Sequence, residues 1–305
     1  MDVLVTGATG FVGARLVPAL IDAGHAVTVL VRSASRYAGP STVDVVEGDL
    51  LDPPASYERA FDVDAAYYLV HSMAGGGDFA ERDRRAARHF VAGAESGGVD
   101  RVFYLSGLGE DLDRLSPHLR SRREIESVLA EGTFALTTLR AAIIVGGESA
   151  SFGLIRQLAG RLPVMVTPQW VETRCQPIAI DDVIAYLVGV LDAPETAGRT
   201  FEIGGPEVLT YREMLRRTGR RMGREPLIVP VPVLSPRLSA YWIDLVTDVP
   251  RDVAHELVEG LRNPVVVTED AIRGLVSVDL TPFDEAVERA LAERPAPGRA
   301  EASRA

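Results

Sequence analysis

A doubly wound parallel α/β sheet, completed by a smaller C-terminal α/β cap, is the fold class this sequence predicts. Three observations predict it. Short apolar runs recur along the first half, at Val3 to Val5, Ala26 to Val31, Val43 to Glu47, Ala65 to Val70, Arg101 to Ser106 and Phe134 to Arg140. Runs of this length suit strands buried on both faces. Stretches with apolar residues at helical spacing lie between them, as at Phe11 to Ala23 and Phe79 to Ser96. The first fifteen residues, M-D-V-L-V-T-G-A-T-G-F-V-G-A-R, join a strand to a helix through a glycine turn.

That opening stretch makes the first half of a βαβ unit. Gly7 lets the chain leave the strand where a Cβ would clash. Gly10 lets the backbone approach a pyrophosphate, and Gly13 lets the helix pack closely on the strand. The helix N-terminus then turns unpaired N–H groups and a partial positive charge toward the phosphates. The spacing is Gly-x-x-Gly-x-x-Gly, and its context of strand before and helix after points to a dinucleotide-binding, Rossmann-type site.

Ala26 to Val31 is the second strand and ends at Arg32. The end of this strand faces the adenosine ribose in a βαβ nucleotide site. An acidic residue there would bond a free 2′-hydroxyl, whereas the Arg32 guanidinium suits a 2′-phosphate. Ser33 and Arg36 stand close by. NADP(H) is therefore expected in preference to NAD(H). After the third strand, Asp49 can reach the adenine amino group with Leu50 packing on the ring, or serve only as a turn former. The fourth strand ends at His71 and a glycine-rich loop, Gly75-Gly76-Gly77, at the sheet end where α/β proteins bind ligands. His71 is accordingly a cofactor-site candidate, or a histidine satisfied by backbone.

The fifth strand ends at Ser106-Gly107. Ser116 and Pro117 then open a helix as N-cap and first-turn proline. That helix, Pro117 to Ala130, sets His118, Arg122 and Glu126 on one face. Beyond Gly146-Gly147 come a helix over Ser149 to Leu162, an extended piece at Val164 to Thr167 and an irregular loop over Pro168 to Gln176. A helix to Leu191, a strand at Thr200 to Gly204 and a helix capped by Thr210 follow. Next come an edge strand over Leu227 to Val233, helices over Arg237 to Val246 and Arg251 to Leu261, and a last helix over Pro282 to Glu293. Too few strands fall here for an independent sheet, so this half is expected to be a cap. The domain reading is 1–148 for the nucleotide domain, 149–293 for a cap interleaved with it, and 294–305 for a disordered tail poor in apolar residues.

Composition narrows the function classes. The chain has 305 residues and a formal net charge of −11, which argues against a nucleic-acid-binding surface. Cys175 is the single cysteine, so no internal disulfide forms and a reducing cytoplasm fits. No apolar run approaches the roughly 20 residues of a membrane span. No metal cluster is expected. The expected partner is a small-molecule substrate, and the expected state is monomer or homodimer.

Together these residues resemble the extended and atypical short-chain dehydrogenase/reductases, in particular the NmrA-like NAD(P)-binding branch. Thr6 to Gly13 resembles the nucleotide fingerprint, implying cofactor contacts from Gly7, Thr9, Gly10, Phe11, Val12 and Gly13. Gly48-Asp49-Leu50 resembles the adenine-contacting segment. Pro177 to Val183 resembles the segment that packs the cap on the nucleotide domain, and Phe201 to Glu207 resembles the late strand and loop. The resemblance implies Ser106 at the strand end and a Tyr-x-x-x-Lys pair on the following helix. Here that pair reads His118-x-x-x-Arg122. Arg122 acts only as a fixed charge, able to hold ribose hydroxyls. An unperturbed imidazole titrates near ~6.5, suited to proton transfer at neutral pH. The expected activity is NAD(P)H-dependent oxidoreduction of a small organic carbonyl or alcohol, with Ser106, His118 and Arg122 as catalytic residues. Trp170, Arg174 and the Tyr241-Trp242 pair are candidates to shape an apolar pocket; core packing is the alternative for the aromatics and the expected role of Trp242. The competing expectation is a non-catalytic NADP(H)-binding redox sensor or assembly protein.

Overall fold

The computed structural model describes residues 1–70, 79–109, 117–231 and 263–293, with Ala55 and residues 117–119 described by backbone only. The first half alternates strand and helix: β1 (Asp2–Thr6), α1 (Gly13–Asp22), β2 (Ala26–Val31), β3 (Asp44–Glu47), β4 (Ala65–Tyr68), α2 (Phe79–Gly97), β5 (Arg101–Gly107), α3 (Pro117–Leu129) and β6 (Ala135–Ala141). The second half holds β7 (Ile144–Val145), α4 (Ala150–Arg161), β8 (Val164–Pro168), β9 (Arg174–Cys175), β10 (Ile178–Ala179), α5 (Ile180–Asp192), β11 (Thr200–Ile203), β12 (Leu209–Thr210), α6 (Tyr211–Arg221), β13 (Leu227–Val231) and α7 (Phe283–Ala292).

The central sheet has seven parallel strands in the order β3-β2-β1-β4-β5-β6-β11. Its apolar runs are continuous because successive residues enter different cores. Val3 and Val5 face the core shared with α1 and α5, while Leu4 faces the core shared with α2 and α3. Phe103 and Leu105 on β5 join the first core, and Val102 and Tyr104 the second. On α2 the buried Ala86, Ala87, Phe90 and Ala94 follow the helical period. A third apolar core lies between α4, α6 and α7 under three two-stranded ribbons, β7·β10, β9·β12 and β8·β13.

The sequence reading differs from the structure in the second half. The segment over Thr200 to Gly204 is not a cap strand: β11 pairs with β6 in register Thr200↔Thr138 and widens the large sheet. Its Phe201 and Ile203 are buried in the first core, which the α5 residues Val183, Leu187 and Val190 also enter. The stretch from Pro168 to Gln176 is more regular than a loop, holding a 3₁₀ turn at Gln169–Glu172 and then β9. Thr210 caps α6 in a full capping box with Glu213. The expected helices over Arg237 to Val246 and Arg251 to Leu261, the Tyr241-Trp242 pair, the Ser116 cap, His71 with its glycine-rich loop, and the 294–305 tail lie outside the described residues.

One buried carboxylate joins α5 to the segment before α7. Asp182 is 3% exposed and accepts from the Thr281 N–H and Oγ1, each at 2.8 Å. Burial holds its carboxyl above the ordinary range, against the pull of the two Thr281 bonds. Asp182→Ala should lower unfolding free energy by about 2–3 kcal/mol, since two charge-assisted bonds are lost and two Thr281 donors are orphaned. Urea unfolding of the variant checks this; an unchanged midpoint would contradict it.

Candidate active site

The strand order reverses between β1 and β4, and the site lies at the carboxyl ends of those strands. Thr6 Oγ1 donates to the Tyr67 carbonyl at 2.9 Å, holding the two strand ends together. Gly7 follows with φ of +71°, and a Cβ there would lie 2.5 Å from the Leu69 carbonyl oxygen. Both the backbone conformation and the approach to β4 exclude a side chain. At Gly13 a Cβ would lie 2.3 Å from the Gly7 carbonyl oxygen, so α1 starts directly on the turn. Gly10 is different. A Cβ there meets only the Gly7 carbonyl oxygen, at 3.1 Å, and the residue is exposed at the edge of a cavity. The glycine cradle thus leaves backbone facing open space at the start of α1, the fit a pyrophosphate needs.

That cavity has a volume of about 410 Å³. Gly7, Gly10, Phe11, Val12 and Gly13 line one end, with Leu69 and Val70 beyond β4. Ser106 and Gly107 at the end of β5, and Arg122 on α3, line its middle. Ser106 is 2% exposed, and its Oγ makes no well-formed hydrogen bond. Arg122 Nη1 donates to the Leu105 carbonyl at 3.4 Å, and the Tyr104 hydroxyl donates to the Arg122 carbonyl at 3.2 Å. Burial pushes the Tyr104 phenol up to about 12, with the Arg122 guanidinium and Ser106 working against it. The backbone of α3 carries His118 one turn before Arg122; the His118 side chain lies outside the described residues. Glu126 does not line the cavity. It pairs with Arg140 at 2.6 Å and Arg123 at 3.4 Å, tying α3 to β6.

The adenosine-side candidates are separate from this cavity. Arg32 is exposed at the end of β2, and no ion pair engages it among the described residues. Glu47 accepts the Ala34 N–H beside it at 2.8 Å. Asp49 Oδ1 accepts the Leu51 N–H at 2.9 Å and closes its own turn. Leu50 is buried in the second core with Tyr57 and Phe61, and His89 Nδ1 lies 2.5 Å from its carbonyl oxygen. Thr9 is exposed on the glycine turn.

Several contributors carry no local sequence signal. Arg15 on α1 pairs with Glu148 at 3.4 Å and Glu293 at 2.7 Å, and stacks over Phe11 at 4.7 Å. These contacts lock the glycine loop against the start of α4 and the end of α7. Gln176, just before the Pro177 to Val183 segment, ties it to two others: its Nε2 donates to the Gly205 carbonyl at 2.8 Å, and its Oε1 accepts the Val267 N–H at 3.1 Å. The far end of the cavity is lined by Ile143, Leu154, Ile155, Leu158, Tyr211, Leu215 and Val265, together with Trp170. Trp170 therefore joins the pocket, whereas Arg174 is exposed on β9 and does not line it.

A Rossmann-type sheet with a glycine cradle at its switch point, opening into a capped cavity, defines a dinucleotide-binding class of protein. An NAD(P)H-binding family model matches residues 7–149. A (4-alkanoyl-5-oxo-2,5-dihydrofuran-3-yl)methyl phosphate reductase of Streptomyces griseus is 30% identical over 230 residues, spanning 73% of this chain and 74% of that protein. A chloroplastic divinyl chlorophyllide a 8-vinyl-reductase of Zea mays is 27% identical over 251 residues, covering 76% of this chain and 62% of the maize protein. Among solved structures, the triphenylmethane reductase of Citrobacter sp., complexed with NADP(H), superposes with a TM-score of 0.76 at 18% identity, covering 95% of this chain and 100% of that one. The chain belongs to the NAD(P)H-binding short-chain dehydrogenase/reductase superfamily and shares the fold of its extended members. Among the described residues no helix is long and apolar enough to cross a membrane.

Proposed function

We propose that this chain is an NADP(H)-dependent oxidoreductase acting on a small organic carbonyl or alcohol. The observation that carries the reading is that Ser106 and Arg122 line the same cavity as the Gly7-Gly10-Gly13 cradle. When bound, the cofactor supplies or accepts the hydride. The Gly7 to Gly13 loop holds the pyrophosphate, with Thr9, Phe11 and Val12 beside it. Arg32 pairs with the 2′-phosphate, and Asp49 and Leu50 bound the adenine. His71 is a further proposed cofactor contact. Arg122 orients the nicotinamide ribose as a charge that stays fixed at any working pH. Ser106 hydrogen-bonds the substrate oxygen, which would satisfy its buried hydroxyl. His118 holds the proton exchanged with that oxygen.

We further propose an NmrA-like placement, a cytoplasmic site of action, a monomer or homodimer, and a division into residues 1–148 and an interleaved cap over 149–293. The second reading, a non-catalytic NADP(H)-binding sensor or assembly protein, is favoured by one observation: His118 and Arg122 stand where the resemblance implies tyrosine and lysine. Screening aldehydes, ketones and quinones for NADPH oxidation separates the two. Turnover of some compound supports the enzyme; tight NADPH binding with no turnover across the panel supports the sensor.

Arg32→Glu tests the cofactor preference. The wild type should bind NADPH more tightly than NADH by calorimetry, because an exposed, unengaged guanidinium is free to meet a phosphate. The variant should lose or reverse that order. Equal wild-type affinities would contradict the assignment.

A further inference from the structure

Ser106 and Arg122 reach the cavity from different elements, so their separation depends on how α3 is seated against β5. Apolar packing seats the C-terminal half of the helix, where Ile125, Val128 and Leu129 are buried in the second core. Around Arg122 the direct bonds are long: its Nη1 donates to the Leu105 carbonyl at 3.4 Å, and its own carbonyl accepts the Tyr104 hydroxyl at 3.2 Å. Shorter bonds lie one turn further on. Arg140 Nη2 donates to Glu126 Oε1 at 2.6 Å, and Arg140 Nε to Oε2 at 3.3 Å, a two-pronged charge-assisted contact. Arg123 Nη1 and the Thr200 hydroxyl of β11 donate to the same carboxylate, each at 3.4 Å. The Glu126 side chain is only 13% exposed, so these bonds are shielded from water. Arg123 Nη2 also donates to the Gly109 carbonyl, just past β5, at 2.6 Å.

Arg140 supplies the fixed point. In the β5·β6 register it is the partner of Ser106, so both side chains leave the same face of the sheet, the one on which α3 packs. Glu126 and Arg122 are four residues apart and share one face of α3, about 6 Å from each other. A shift of the helix at Glu126 is therefore carried to Arg122. Resting on the reading that Arg122 orients the nicotinamide ribose, we infer that Glu126 is a positioning residue: bridged to Arg140, it seats α3 so that Arg122 stands beside Ser106 where the ribose is held. It lines no part of the cavity and acts through Arg122. The Glu124–Arg84 pair, at 3.0 Å, ties α3 to α2 instead and is more exposed, so it has no part in this alignment.

The test is a double-mutant cycle read by calorimetry on the whole chain, with two ligands. One is NADPH. The other is 2′-phosphoadenosine 5′-diphosphate, which keeps the pyrophosphate and lacks the nicotinamide riboside. Glu126→Gln should weaken NADPH roughly fivefold to thirtyfold and change the truncated ligand by less than about twofold. In an Arg122→Ala background, Glu126→Gln should cost NADPH less than about a further twofold, because the contact it aligns is already gone. Glu124→Gln should leave both affinities unchanged. Should Glu126→Gln not fold, Arg140→Lys, which keeps the charge and loses the fork, is held to the same expectations. Equal loss of both ligands, an undiminished loss in the Arg122→Ala background, or no loss of NADPH would overturn the inference while leaving the ribose reading intact. An Arg122→Ala variant with wild-type NADPH affinity would overturn the ribose reading itself, and this inference with it.

Discussion

Gly10→Val should give a folded protein that has lost NADPH affinity by at least about 100-fold, because the branched side chain would occupy the pyrophosphate's place at the start of α1. The expectation of folding rests on local geometry. A Cβ at Gly10 meets one protein atom, the Gly7 carbonyl oxygen, at 3.1 Å, a contact a slight backbone shift relieves. Its neighbours in the motif behave oppositely. A Cβ at Gly13 would sit 2.3 Å from the same oxygen and 2.8 Å from the Ala8 Cα, both backbone. Gly13→Ala should therefore destabilise the fold by about 3 kcal/mol or more, since α1 must move off the turn. Circular dichroism and calorimetry on the two variants separate a binding glycine from a packing glycine. Undiminished NADPH binding in folded Gly10→Val would contradict the phosphate-loop assignment.

The next largest effect is expected at His118. If its imidazole carries the proton, His118→Ala should lower turnover by roughly 10²–10⁴-fold with little change in NADPH affinity. Arg122→Ala should instead weaken cofactor binding, because ribose contacts are made before chemistry. Turnover in the reducing direction should fall as pH rises through a histidine-like value, since the acid must be protonated to donate. The Tyr104 phenol offers an internal contrast: it lines the same cavity but is pushed up to about 12 by burial, so a proton drawn from it would leave turnover flat across neutral pH. A compound reduced at a rate that His118→Ala leaves untouched would remove His118 from the mechanism.

What the sequence reveals of this molecule follows from how local each signal is. The glycine spacing at 7, 10 and 13 foretells the turn because every constraint on it arises within a few residues and the adjoining strand. The strands β1, β2 and β5 are legible because each is buried on both faces and so reads as an apolar run. β11 is legible as a strand but not as a member of the large sheet, since its place beside β6 depends on a pairing 62 residues away in register. Arg15 carries no signal beyond its place in the first helix. Its partners Glu148 and Glu293 come from the far side of the chain, and no local pattern reports them. The far end of the cavity is hidden for a different reason. Leu154 and Leu158 sit at helical spacing on α4, as do Tyr211 and Leu215 on α6, and a residue facing a cavity has the same spacing as one facing a core. Leu50 reads as a residue beside the adenine; that its side chain also packs among Tyr57 and Phe61 is not legible from its place in the sequence.

The central claim is that one cavity joins a dinucleotide cradle to a reacting centre at Ser106 and Arg122. Its most direct test is a crystal structure of the protein with bound NADP⁺. The account predicts the pyrophosphate over Gly10 at the start of α1, the 2′-phosphate on Arg32, and the nicotinamide ring beside Ser106, leaving space within about 3.5 Å of its reactive carbon for a substrate carbonyl. A nicotinamide ring outside the cavity, or a dinucleotide bound elsewhere on the protein, would contradict it.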